Sequence, residues 1–273
     1  MYESYFGLNE APFNVTPDPK FVYFSRHHQE ALSAMRYGIQ YRRGFIQITG
    51  EVGAGKTTLS RALLAELGDD VHTALVLNPK LSDLDLLQTI VEDFGLKAVR
   101  HKRKAYFDAL NRFLLDETAK GNNAVIIIDE AQLLTPRSLE QIRLLSNLET
   151  PTQKLLQIIL MGQPELKDLI ARPDLTQLKQ RITVRYHLPA LSLDEIARYI
   201  VHRLRVAGCA EGVFLNIFQD DAIKLIAQIS NGVPRLVNVL ADRAMLGAYA
   251  QGVYQIDTAI VEMAVADLEG VTV

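Results

Sequence analysis

The chain has 273 residues, 48% of them hydrophobic, enough for one large or two modest folded domains, which excludes global disorder. Twenty-nine basic residues against 32 acidic ones leave a formal net charge of −3, so no overall field draws the protein to nucleic acid or anionic lipid. A single cysteine, Cys209, excludes an intramolecular disulfide framework.

Residues 1–26 are rich in aromatics and prolines, among them Phe6, Pro12, Phe13, Pro17, Pro19, Phe21, Tyr23 and Phe24, without helical or strand period; they are expected to form a structured arm packing near a ligand site. From His28 to about Tyr41 the apolar residues Ala31, Leu32, Met35 and Ile39 recur at helical spacing. Apolar runs at Phe45–Thr49, Thr73–Leu77, Ala124–Ile128, Leu155–Met161 and Thr183–Leu188 then alternate with helical segments, which predicts an α/β domain over 27–189 with a five-stranded parallel sheet covered on both faces. After Ser192 strand-like runs cease, and helices are predicted near 193–207, 220–230, 233–250 and 257–268, a smaller all-helical domain over 190–273. Ser192 followed by Glu195 has capping-box spacing at its start.

The segment Gly50, Glu51, Val52, Gly53, Ala54, Gly55, Lys56, Thr57 follows a predicted strand and opens a helix, the context in which a Walker A pattern is a phosphate loop. Its glycines let consecutive backbone amides surround one anion at a helix start, and Thr58 extends the same contact set. Lys56 is expected on the β- and γ-phosphates of ATP, and the Thr57 hydroxyl on Mg²⁺. The all-apolar strand ending in Asp129-Glu130 supplies the second half: acids are tolerated there because ligands gather at the carboxyl edge of a parallel sheet. Asp129 is expected in the magnesium shell, and Glu130 as the base that polarises the attacking water. The Walker motifs alone also admit a nucleotide kinase or a GTPase, although no Asn-Lys-x-Asp base-reading motif is present.

Taken together, Tyr5-Phe-Gly-Leu, Pro12-Phe13, Thr16-Pro-Asp-Pro19, the phosphate loop, Ile128-Asp-Glu-Ala-Gln132, Gly162-Gln-Pro-Glu-Leu166 and Gly232-Val-Pro-Arg-Leu236 resemble the AAA+ ATPases, and more narrowly the general secretion pathway protein A family with its MSHA pilus-biogenesis relatives. The resemblance spans nearly the whole chain. It implies a P-loop core with a helical lid, ATP hydrolysis with Mg²⁺, a homo-oligomer with nucleotide at subunit interfaces, and service to a bacterial envelope secretion or pilus system. It also implies roles for Gln163 as a polar sensor after the fourth strand, for Arg235 as a second sensor at the start of a lid helix, and for Arg181 as the arginine finger offered to a neighbour, with Arg172 and Arg185 as competitors. Asn78, at the end of the second strand, either restrains the catalytic glutamate or makes a turn before Pro79.

The amino terminus lacks a basic segment followed by an apolar run, and no stretch reaches the roughly 18 apolar residues of a membrane span, so a cytoplasmic location is expected, as an isolated module, a short pilus-type relative, or the cytoplasmic part of a longer inner-membrane protein. Two further features invite a ligand. The basic run Arg100-His-Lys-Arg-Lys104 is the densest cluster of cations, but it lacks interleaved aromatics and reads as a solvated helix start or loop. Phe13, Phe21, Tyr23 and Phe24 are candidates to stack on adenine or to pack the arm. Nucleic acid is thus the disfavoured partner, with a DNA-associated helper ATPase and a nucleotide-gated scaffold of negligible turnover as the alternatives.

Overall fold

The computed structural model describes residues 1–16, 18–97, 102–210, 212 and 216–269. Pro17 of the arm motif and Arg100 and His101 of the basic run lie outside them. Two compact units divide the chain: Met1–Ser25 with Val52–Thr58 and Pro189–Val273, and Arg26–Glu51 with Leu59–Leu188.

The strands are β1 (Phe45–Gly50), β2 (Val71–Val76), β3 (Asn123–Ile128), β4 (Gln157–Gly162) and β5 (Ile182–Leu188). They form one sheet in the order β2-β3-β4-β1-β5, every pair parallel. β1, β3 and β4 are buried at every position, which requires cover on both faces and explains why β3 and β4 read as apolar runs after their first residue, while β1 buries Gln47 and Thr49 among its apolar residues. The outer strands β2 and β5 are only partly buried. The strand limits move from expectation by one or two residues, by two at the starts of β2 and β4; Leu155 and Leu156 are buried in the core ahead of the β4 ladder.

The polar side chains at the amino ends of β3 and β4, Asn123 and Gln157, are satisfied by backbone groups and by each other. Gln157 Oε1 accepts the Gly44 amide at 2.8 Å, and Asn123 Nδ2 donates to the Ile39 carbonyl at 2.8 Å. This buried amide network ties the amino ends of β3 and β4 to the end of the preceding helix, where an unpaired amide would cost several kcal/mol, on the order of 2–7. At the opposite edge the pairing Thr49 with Gly162 and Ile128 with Leu160 brings the carboxyl ends of β1, β4 and β3 side by side.

The helices in chain order are α1 (Tyr2–Tyr5), α2 (Arg26–Gln40), α3 (Lys56–Glu66), α4 (Asp83–Asp93), α5 (Arg103–Ala119), α6 (Pro136–Leu145), α7 (Glu165–Ala171), α8 (Thr176–Arg181), α9 (Leu193–Val206), α10 (Asp220–Ser230), α11 (Pro234–Gln251) and α12 (Thr258–Glu269). The short α1, α7 and α8 carry too few turns to show a helical period in sequence. α9 starts on the expected capping box: the Ser192 amide donates to Glu195 Oε2 at 2.9 Å and the Glu195 amide to Ser192 Oγ at 3.4 Å.

The helical unit contains the amino-terminal arm. Tyr2, Phe6, Leu8, Phe13 and Phe21 share one core with Ile196, Leu204, Phe218, Val237, Met245 and Ile256. Each buried phenyl contributes roughly 1.5–3 kcal/mol of transfer free energy. Arg203 of α9, only 6% exposed, pins the arm by polar contacts: Nε donates to the Pro12 carbonyl at 2.5 Å and Nη2 to the Asn14 carbonyl at 3.1 Å. Its guanidinium also lies over the rings of Phe21 and Tyr199, 4.9 and 5.7 Å from their centroids. At the arm's start the Tyr2 hydroxyl donates to Asp242 of α11, and burial together with that carboxylate drives the phenol's pKa far above its usual range.

Candidate nucleotide site

The phosphate-loop half is built by chain direction. β1 delivers the backbone to Gly50 at the carboxyl edge, the loop turns through Gly53 and Gly55 at φ of +80° and +96°, and α3 begins at Lys56. Gly53 is required twice over. Its φ is disfavoured for an L side chain, and a Cβ there would lie 2.8 Å from Arg235 Cβ and 3.1 Å from Val233 Cγ1. The loop therefore abuts the start of α11, where Pro234 occupies the first turn. Ala54 and Lys56 are buried, whereas Glu51 and Val52 are exposed and Thr57 and Thr58 are half-buried. Arg235 is exposed, and among the described residues its guanidinium has no hydrogen-bond or ion-pair partner.

The acidic half lies where β3 ends. Asp129 is 2% exposed and accepts the Glu130 amide through Oδ1 at 2.9 Å. Glu130 itself adopts the left-handed conformation, φ +51°, ψ 35°. For a residue with a Cβ this costs roughly 1–2 kcal/mol, a strain that concentrates where function demands a particular side-chain direction. The Glu130 carboxylate is bracketed by two primary amides: Gln132 Nε2 donates to Oε2 at 2.6 Å and Gln163 Nε2 donates to the same oxygen at 3.2 Å. Gln132 in turn accepts the Gln163 backbone N–H through its own Oε1 at 3.0 Å. Only a glycine at 162 leaves room for that side chain, because a Cβ there would sit 2.7 Å from Gln132 Oε1 and 3.2 Å from the Gln132 backbone nitrogen.

Gln163, a sensor by resemblance, thus touches the glutamate directly. Gln132 has no counterpart among the sequence-derived site residues; the only signal was its place in Asp-Glu-Ala-Gln, two residues past the acid. Asn78 is not part of this bracket: its Oδ1 accepts the Lys80 amide at 3.3 Å, the turn that was the other reading of that residue.

The three candidate finger arginines are all engaged. Arg181 closes α8 and donates from Nη1 to Ser146 Oγ at 2.6 Å, Arg185 donates to the Lys179 carbonyl at 2.6 Å, and Arg172 makes a two-pronged pair with Asp174 at 3.0 and 3.0 Å. Arg181 is half-buried and donates to a neutral hydroxyl, whereas the Arg172–Asp174 fork is about half exposed at both ends. Of the adenine candidates, Phe13 and Phe21 are core residues, which leaves Tyr23 and Phe24 partly exposed. In the described part of the basic run, Arg103 donates to Gln141 Oε1 while Lys102 and Lys104 are exposed.

Of the residues expected to meet magnesium, Thr57 presents a half-buried hydroxyl in the first turn of α3 and Asp129 a buried carboxylate at the end of β3. Among the described residues no group of three or more His, Cys, Asp or Glu is placed to hold a metal ion. A hydroxyl and a carboxylate fit Mg²⁺ that arrives with phosphate oxygens and keeps its water, the usual manner of holding that ion.

Residues 39–170, from the end of α2 through the phosphate loop and Glu130 to α7, match the AAA domain family. Across 272 residues and 99% of its length the chain is 44% identical to general secretion pathway protein A of Aeromonas hydrophila. Residues 39–170 thus carry an AAA domain, and the chain is similar to general secretion pathway protein A. It spans 49% of that relative's length. Solved structures sharing the fold include the ORC2 protein of Aeropyrum pernix in ADPNP-ADP complexes, with TM-score 0.67, 20% identity, and 97% of this chain and 73% of that one covered. Cdc6p of Pyrobaculum aerophilum gives 0.67 at 18% identity, covering 92% and 71%, and the RuvB branch migration motor of Thermotoga maritima gives 0.52 at 17%, covering 88% and 68%. At these identities they establish the fold alone. Among the described residues no helix is long and apolar enough to cross a membrane.

Proposed function

We propose that this protein binds ATP with Mg²⁺ and hydrolyses it to ADP and phosphate. The observation that carries the reading is Glu130: a strained, amide-held carboxylate at the end of β3, one strand removed across β4 from the strand that feeds a complete phosphate loop. The loop amides and Lys56 bind the β- and γ-phosphates, with Thr58 extending that contact set; Thr57 and Asp129 hold the magnesium ion, which supplies charge neutralisation on the phosphates. Glu130 takes a proton from water as its oxygen attacks the γ-phosphorus, and the bond to the β–γ bridging oxygen breaks with its electron pair leaving on ADP. Gln163 donates to Oε2 of the acid and helps to hold it, and Arg235, which among the described residues has no hydrogen-bond or ion-pair partner, lies beside the phosphate loop and supplies positive charge to the γ-phosphate.

The 44% identity to general secretion pathway protein A supports a second level of the reading: a homo-oligomer, with Arg181 reaching the nucleotide of a neighbour, that couples hydrolysis to assembly of an envelope secretion or pilus system from the cytoplasmic side. The chemical reading is tested by calorimetry and phosphate release. Lys56→Ala is expected to lose tight ATP binding, because the ammonium contacts ground-state charge, whereas Glu130→Gln is expected to bind ATP and lose turnover. Unchanged affinity in the first variant, or near-normal turnover in the second, refutes the site assignment.

A further inference from the structure

Glu130 needs more than proximity to a water. A carboxylate on a flexible side chain samples several rotamers, and a general base works only when one lone pair is held toward the proton it removes. Here that restriction comes from a side chain outside the Walker pattern. Gln132 presents both ends of its amide at once, its NH₂ to Glu130 Oε2 at 2.6 Å and its carbonyl to the Gln163 N–H at 3.0 Å, so it joins the acid to the first residue beyond β4. The Gln163 NH₂ then reaches the same Oε2 at 3.2 Å. Both donors converge on one oxygen, and among the described residues Oε1 has no hydrogen-bond partner. The bracket leaves one carboxylate oxygen restrained and one available. Its seat is made by the absence of a side chain at Gly162, whose Cβ would collide with Gln132 Oε1 at 2.7 Å.

We propose that Gln132 is a positioning residue for hydrolysis, locking Glu130 Oε2 through its amide and, with Gln163, directing Oε1 at the attacking water. This rests on the hydrolytic reading of Glu130 given above. Gln132 makes no contact with nucleotide in this assignment, so its loss acts on turnover and leaves ground-state binding intact. Gln163 accordingly works through the glutamate.

The test uses the full chain with Mg-ATP and four variants. Gln132→Met keeps the length and bulk of the side chain and deletes both amide hydrogen bonds. Gly162→Ala keeps both glutamines and displaces Gln132 from beneath. For each, kcat is expected to fall about tenfold to a hundredfold, the scale of losing an orienting hydrogen bond or of misplacing a reacting group by an ångström, with KM and the calorimetric Kd for ATP within about twofold of wild type. In a Glu130→Gln background, single-turnover measurement is expected to show no further loss from Gln132→Met, because there is no longer a base to orient. A Gln132→Met protein with wild-type kcat, a loss confined to KM, or an equal loss in the Glu130→Gln background overturns the proposal while Glu130→Gln alone remains inactive. Wild-type turnover in Glu130→Gln overturns the hydrolytic reading, and the proposal with it.

Discussion

Replacing Arg203 by Met should release the amino-terminal arm while the sheet unit keeps its protection. Methionine preserves most of the apolar stem of Arg203 but removes the donors to the Pro12 and Asn14 carbonyls and to the Tyr199 hydroxyl, at 2.5, 3.1 and 3.0 Å, together with the cation over Phe21. Each buried acceptor left unpaired costs about 1–3 kcal/mol, and the lost cation–ring contact about 0.5–2 kcal/mol. Against this stands the relief of no longer burying a charge that, among the described residues, faces no carboxylate within ion-pair distance. The net is about 2–4 kcal/mol on the free energy of opening the arm, which corresponds to a fall of about 30- to 1,000-fold in its protection factors. Hydrogen exchange read by mass spectrometry on peptides from residues 1–25, with peptides from β3 and β4 as the internal reference, measures it. Arg203→Lys should recover only part of the protection, because one ammonium cannot span three acceptors held in a fork. Unchanged exchange of the arm in Arg203→Met refutes the pinning argument; equal loss in the sheet peptides shows instead that the two units unfold together.

For Arg181, mixing Arg181→Ala with Glu130→Gln is expected to restore phosphate release that neither variant shows alone, since some interfaces then join an intact acid to an intact arginine; flat activity with mixed oligomers confirmed by light scattering removes the shared-site mechanism. Gly53→Ala should weaken ATP binding about tenfold or more, because the left-handed backbone costs roughly 1–2 kcal/mol for a residue with a Cβ and the new carbon meets Arg235 Cβ at 2.8 Å. An affinity within twofold of wild type, measured by calorimetry, contradicts it. The Glu117 carboxylate accepts from Lys120 Nζ at 2.6 Å, from Asn122 at 2.7 Å and from His72 at 2.7 Å, which lowers its pKa from the ordinary 4.5 to about 2. A depressed carboxylate stabilises the fold above its unfolded pKa, so the advantage of wild type over Glu117→Gln in urea denaturation should be full above about pH 5 and vanish as the pH falls to about 2. An advantage that persists unchanged to pH 2 overturns that assignment.

The amino-acid sequence by itself determined the strand–loop–helix at Phe45–Glu66, the acids after β3, the parallel character of the sheet and the four helices after Ser192. These are local properties: an unbroken apolar run needs two covered faces, glycines permit the positive φ angles that the loop requires, and a serine three residues before a glutamate at the start of an apolar-periodic segment caps a helix. Tertiary structure decided what depends on residues distant in the chain. Asn78 could restrain the acid or make a turn, and only the folded arrangement shows its oxygen on the Lys80 amide while Gln132 and Gln163 hold Glu130. Phe13 and Phe21 look like Tyr23 and Phe24 in sequence, yet they are buried in the helical core, where Arg203 binds the carbonyls on either side of Phe13 and lies over the ring of Phe21. The joining of Glu130 to Gln163 across 33 positions follows from β3 and β4 being neighbours in register, and pairing between strands is set by the packing of whole faces, which leaves no periodic trace in either segment alone.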